Sequence, residues 1–204
     1  MQYIRMPSDD EIPSEAREFI EAESRRRGGA PVSAAIRTLA WRPEIMKAVA
    51  TLQRVVVTGG TVDVELKALV AQAVSQAAGC SHCQAHAAFM ASRVGGHSDR
   101  VKALWEFETS DLFSAGDRAA LRLAVAAGGV PNTASEENFA ELRKYFDEGQ
   151  IVEIVATMAL FGWNNRWNET VATETEEVVA LFALDALGGQ GFELSRHGHD
   201  FSPR

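Results

Sequence analysis

Cysteine is nearly absent from this chain: there are two, Cys80 and Cys83, three positions apart. That spacing cannot close a long loop, so a structural disulfide framework is excluded and only a local, reversible disulfide stays open. Long apolar runs are also missing. None reaches the roughly 18 residues that a membrane-crossing helix needs, and Met1 to Asp10 is too polar for a secretory signal. Basic residues are outnumbered, 20 against 28 acidic ones, and are scattered apart from Arg25, Arg26 and Arg27. That balance argues against a nucleic-acid surface. We therefore expect a cytoplasmic protein without a membrane or nucleic-acid partner. Strand-like alternation recurs nowhere, whereas apolar spacings of three and four recur throughout, which predicts an all-α fold.

What is present reads as one helical domain over residues 1–204. An arm and a charged helix, Ser14 to Arg27, occupy residues 1–30, and 188–204 is a tail. Pro31 to Val57 predicts one or two helices, with Pro43 ending one or standing in the first turn of the next. Trp41 there is expected in the core. Asp63 to Ala78 and Cys80 to Val94 are two helices separated by Gly79. A short helix over Asp99–Glu108 follows, then one from Ser114 to Ala127, one starting at Thr133 with Glu136 and reaching Asp147, and a long apolar one from Gln150 to Trp167. Thr173 and Glu176 are expected to cap the last helix. His97 reads as a turn residue, and His197 and His199 as tail.

Gly79-Cys80-Ser81-His82-Cys83-Gln84-Ala85-His86 carries the chemistry. It opens a helix, and positions i, i+3 and i+6 stay near one face, so Cys80, Cys83 and His86 can converge. Free N–H groups at a helix start favour negative charge, and the thiolate is the reactive form of cysteine. A redox dithiol follows. Zinc is the main rival, but a tetrahedral site needs four ligands and there is no second cysteine pair. We expect no metal and no cofactor. Trp163, Asn164, Asn165, Arg166 and Trp167 read as an oligomer interface rather than as pocket lining.

Residues 66–86, LKALVAQAVSQAAGCSHCQAH, resemble the core of the alkylhydroperoxidase D and carboxymuconolactone decarboxylase family. Residues 146–168, FDEGQIVEIVATMALFGWNNRWN, resemble its longer, peroxidase-related members, and the likeness extends over a core of about 43–187. The resemblance implies an all-α bundle with the Cys-x-x-Cys at the start of a central helix. It also implies homo-oligomers, commonly trimers or hexamers with a dimer possible, and reduction of peroxides at the expense of a thiol or dithiol reductant. Carried over, Cys83 attacks the peroxide, Cys80 resolves the sulfenate, and His86 relays protons, one position short of the usual relay histidine, where Ala87 stands. His82 matches a position held by His in some members. The family glutamate falls at Ala68, so Glu65, one turn earlier, and Glu153, from across the core and pairable with Arg166, are its candidate replacements.

The expected function is a thiol-dependent peroxidase acting through Cys83, Cys80 and a histidine relay. The alternatives are a dithiol–disulfide oxidoreductase or redox sensor, and a non-redox interaction module on the same scaffold.

Overall fold

The computed structural model describes residues 2–26, 28–96 and 99–198. Within them the chain is helical, as the spacing of its apolar residues requires, and no strand occurs among the described residues. Ten α-helices run in order: α1 (Ser14–Arg26), α2 (Ala34–Leu39), α3 (Pro43–Thr58), α4 (Val64–Ala77), α5 (Ser81–Gly95), α6 (Asp99–Lys102), α7 (Ala115–Gly128), α8 (Glu136–Leu142), α9 (Glu148–Val171) and α10 (Glu177–Leu187). Pro43 stands in the first turn of α3, where its missing N–H costs nothing. Among the described residues, no helix is long and apolar enough to cross a membrane.

The bundle is built around α4. Ten of its fourteen residues are buried, from Leu66 to Ser75, and α5, α7 and α9 pack against it. Being covered on several sides, α4 carries apolar residues nearly all round, the pattern of a buried helix. Lys67 sits in the middle of this run and is only 1% exposed. Its ammonium pairs with Glu153 on α9 at 2.7 Å and donates to the carbonyls of Val56 and Gly59. Glu153 in turn accepts from the N–H groups of Thr61 and Val62 at 2.8 and 3.0 Å. Burial pushes its carboxyl up, but Lys67 and those N–H donors outweigh it and hold the group at about 2.

A second, smaller apolar cluster lies at the N-terminal side. Ile12, Ala16, Ile36, Leu39, Met46 and Ala50 form it, and Trp167 of α9 packs against it. Trp41, expected in the core, is instead 37% exposed: its indole N–H donates to the carbonyl of Arg5, and the Arg5 guanidinium lies 4.8 Å from its ring. The ring thus fastens the N-terminal arm.

Several expected boundaries moved, each for a local reason. The Asp99–Glu108 helix breaks into α6 and a 3-10 turn at Leu104–Glu106. Helix α8 is capped by Ser135 and Asn138 rather than by Thr133, and ends at Leu142, because Asp147 is already taken as the cap of α9 through its bond from the Gln150 N–H. Glu176, not Thr173, stands at the start of α10. His97 and His199 lie outside the described residues.

Candidate active site

The site begins with a chain reversal that the sequence writes plainly. Gly79 adopts φ +75°, and the N–H groups of Cys80 and Gly79 return to the carbonyls of Ser75 and Gln76, both at 2.9 Å. This is a Schellman closure of α4, which needs a left-handed residue at that point. Cys80 then becomes the cap of α5: its Sγ accepts from the Cys83 N–H at 3.4 Å. The two helices therefore meet at the dithiol.

The two sulfurs face different surroundings. Cys83 lines a cavity of about 700 Å³, together with His82 and His86 of α5 and Asn164 and Asn168 of α9. The Asn168 amide donates to the Cys83 Sγ at 3.2 Å. Cys80 is fully buried and is not among the cavity-lining residues. Its thiol is pushed well above the ordinary range by its hydrogen bond to Cys83, by burial and by the charge of Cys83. Cys80 therefore keeps its proton at rest, while Cys83 is the sulfur that borders the cavity. Both cysteines are free in the structure.

His86 meets the carboxylate of Glu176, at the start of α10, rather than Glu65 or Glu153. Its Nε2 lies 2.7 Å from Oε2 of Glu176, an ion-pair contact that approaches off the direction of an in-line hydrogen bond. Glu176 also accepts from the Ala34 N–H at 2.7 Å, so one carboxylate ties the imidazole to the start of α2. Burial pushes the Glu176 carboxyl up, but His86 and the Ala34 N–H outweigh it and hold the group at about 2. His82 is buried, bonds through Nδ1 to the Thr175 hydroxyl at 3.0 Å and lies with its ring 4.4 Å from that of His86. Burial, then His86, with a smaller part from His197, hold its imidazole well below the usual range, against the pull of Glu176. It stays neutral.

The other two carboxylate candidates are engaged elsewhere. Glu65 pairs with Arg100, which also holds Asp117, and Glu153 pairs with Lys67, not with Arg166. Neither lines the cavity. His197, expected as tail, is fully buried beside the dithiol. Its Nδ1 lies 2.8 Å from the Thr173 carbonyl, its Nε2 2.6 Å from Oε1 of Glu169, and its ring 5.6 Å from His82. Cys80, Glu169 and His197 bring one donor atom each within 4.8 Å of one another.

The cavity walls come from both apolar clusters. Val32, Ile36, Val57, Phe89, Leu160 and Phe161 give it an apolar body, and Glu23, Arg26, Arg54 and Arg93 add charge. Glu23 pairs with both Arg26 and Arg54. Asn164 and Asn168 line this space, contrary to the interface expectation for the first of them, while Trp163 and Trp167 stack with rings 5.7 Å apart. Asn168, Glu169, Thr175 and Glu176 are the site residues that the sequence reading missed. The signal that could have found them is the polar run Asn168-Glu-Thr-Val-Ala-Thr-Glu-Thr-Glu176 between two apolar helices, which is too polar to be buried without a task.

A helical bundle with a capping dithiol, its outer sulfur in a cavity beside a His–Glu pair, matches a known family over its central part. Residues 43–126 match the model of the carboxymuconolactone decarboxylase family. Those residues run from α3 to α7 and include both cysteines. The uncharacterized protein YnjA of Escherichia coli (strain K12) is 28% identical over 109 residues, which is 53% of this chain and 60% of that protein. The match thus spans less than two thirds of the relative's length. The crystal structure of the debrominase Bmp8 superposes with a TM-score of 0.79 at 28% identity, over 90% of this chain and 97% of that one. A cysteine-to-alanine variant of Bmp8 in complex with 2,3,4-tribromopyrrole gives a TM-score of 0.81 at 26% identity, over 91% and 98% of the two chains. A peroxidase-related protein from Ralstonia eutropha JMP134 with an alkylhydroperoxidase core shares the fold, with a TM-score of 0.74 at 21% identity over 87% of this chain and 94% of that one.

Proposed function

We propose that the protein is a thiol-based reductase of small organic electrophiles, with an organic hydroperoxide as substrate. One observation carries the reading: of two adjacent cysteines, Cys83 alone faces an apolar cavity, while Cys80 waits behind it with its proton retained. In the first step the Cys83 thiolate attacks the terminal peroxide oxygen. The O–O bond breaks, Cys83 becomes a sulfenic acid, and the alkoxide takes a proton and leaves as the alcohol. His86, held by Glu176, is placed to carry the protons of this exchange, and His82, neutral and bonded to Thr175, fixes the shape of the wall. In the second step Cys80 displaces water from the sulfenate and the disulfide forms. A thiol or dithiol reductant restores the pair.

A second reading is supported by the likeness to the debrominase and by the apolar lining. A thiolate that attacks peroxide oxygen also attacks the bromine of an electron-rich ring. The ring then gains a proton in place of bromine, Cys83 carries the bromine, and Cys80 expels bromide as the disulfide forms. Both readings use the same two sulfurs in the same order, and the electrophile distinguishes them.

The test mixes reduced protein with cumene hydroperoxide or with tribromopyrrole and follows thiol loss and product. Peroxide reading: two thiols vanish per alcohol formed, and Cys83→Ser stops both. A wild-type rate no faster than that of free cysteine with the peroxide, with rapid bromide release from the pyrrole, replaces the first reading by the second. Silence with both substrates sinks the proposal. A homo-oligomeric state belongs to the same proposal and is checked by sedimentation.

A further inference from the structure

We infer that Cys80, Glu169 and His197 form a second proton-handling site, separate from the substrate cavity, that activates the resolving thiol; this rests on the dithiol chemistry proposed above. The argument starts from donors and acceptors. The Nδ1 of His197 faces a carbonyl oxygen, which can only accept, so Nδ1 carries a hydrogen. The Nε2 faces a carboxylate oxygen of Glu169 at hydrogen-bond distance, 2.6 Å, so the ring is fixed between Thr173 and Glu169.

Spacing separates this from a metal site. Two ligands on one tetrahedral zinc, each about 2.05 Å from the ion, stand roughly 3.3 Å apart. The 2.6 Å contact is that of a proton-bridged pair. Cys80 lies within 4.8 Å of both partners, fully buried, and none of the three residues lines the cavity. A proton leaving Cys80 consequently has no direct route into the substrate pocket. Glu169 provides another: its side chain is 30% exposed, with Arg196 at 3.6 Å on the solvent side. The elevated Cys80 thiol explains why an acceptor is required there.

The step balances as follows. Cys80 gives its proton to the Glu169 carboxylate, and the thiolate left behind faces the His197 ring. That thiolate attacks the Cys83 sulfur, the new S–S bond forms, and the group on Cys83 leaves with the bonding electrons. Glu169 then releases its proton to solvent on the Arg196 side, and the departing group takes its own proton from the cavity.

The experiment avoids peroxide altogether, so that its outcome is independent of the substrate proposed above. Dithiobis(nitrobenzoate) is an aryl disulfide that Cys83 cleaves, releasing one arylthiolate. Cys80 then closes the protein disulfide and releases a second. In stopped-flow absorbance, Glu169→Gln should leave the first release within about twofold of wild type and slow the second by at least about tenfold. His197→Asn should do the same, and Cys80→Ser should give the first release alone. A second release at the wild-type rate in Glu169→Gln overturns the inference, whatever His197→Asn does, and so does a single release from wild type. Two releases from a protein that reduces no peroxide would remove the peroxidase reading and leave this one standing.

Discussion

Two glutamates on this chain carry similar charge states and opposite tasks. Glu153 and Glu176 are both held at about 2, the first by buried Lys67 and two backbone N–H groups against its own burial, the second by His86 and one N–H. Glu153 secures a fold. Replacing it by Gln strands the Lys67 ammonium in a site 1% exposed, an outcome that costs about 3–5 kcal/mol. Urea unfolding of Glu153→Gln at neutral pH should show that loss, with thiol reactivity of the folded protein unchanged. The pH dependence has a definite sign. A carboxyl depressed from about 4.5 to about 2 contributes its stability in full above the higher value, and loses it as pH falls through the lower one. Wild type should therefore lose an acid-sensitive part of its stability between these values that Glu153→Gln lacks. Glu176, by contrast, should matter to rate: Glu176→Gln frees His86 and the α2 start together, and the first thiol loss should slow by about a hundredfold. Equal rates in the two proteins would remove Glu176 from the relay. The sequence marked Glu153 as suspicious because it interrupts an apolar helix, which is sound physics. It could not tell a carboxylate paired with a lysine five helices away from one paired with an imidazole of the cavity wall.

At the scale of elements, two glycines set the relation of α4 to its neighbours. Gly79 gives the left-handed turn that presents Cys80 as a cap, with open space where a Cβ would go, so Gly79→Ala pays only backbone strain, about 1–2 kcal/mol. Gly128 is the reverse case. A Cβ there would stand 2.7 Å from the Cβ of Ala77 and 2.8 Å from the Val74 carbonyl, so α7 could no longer lie as close to α4. Gly128→Ala should cost about 1–3 kcal/mol, read from the urea midpoint at an unchanged slope. The helices themselves were legible from apolar spacing, glycine stops and capping residues. Their ends were not always so: Asp147 could close α8 or open α9, and its capping bond from the Gln150 N–H chose the latter. The dithiol at a helix start was legible too, since Gly79 announces it. The side on which each sulfur looks was not, because a cap residue such as Cys80 leaves the helical face that governs Cys83 and His86.

For the molecule as a whole, the cavity is the product of a junction. The main core supplies α5 and α9, and the side of the small N-terminal cluster supplies α1, α2 and α3. Shape should accordingly select substrates. Ala35→Phe, which adds a ring to the α2 wall, should lower the rate with cumene hydroperoxide at least tenfold and leave hydrogen peroxide within about twofold. Equal losses with both would show that the wall serves folding alone.

Under the dithiol chemistry proposed above, the unequal placement of the two sulfurs should also govern how the oxidised protein is recharged. Once Cys80 and Cys83 are joined, the sulfur that faces the cavity is still that of Cys83, and Cys80 remains sealed behind it. An incoming thiol must attack Cys83 and expel Cys80, entering by the doorway that the electrophile has just vacated. If oxidant and donor take turns in one vestibule in this way, steady-state kinetics should be ping-pong, with parallel double-reciprocal lines, and either partner in excess should obstruct the other. The donor this admits is a small thiol, or a protein that offers its cysteine on a protruding finger of chain.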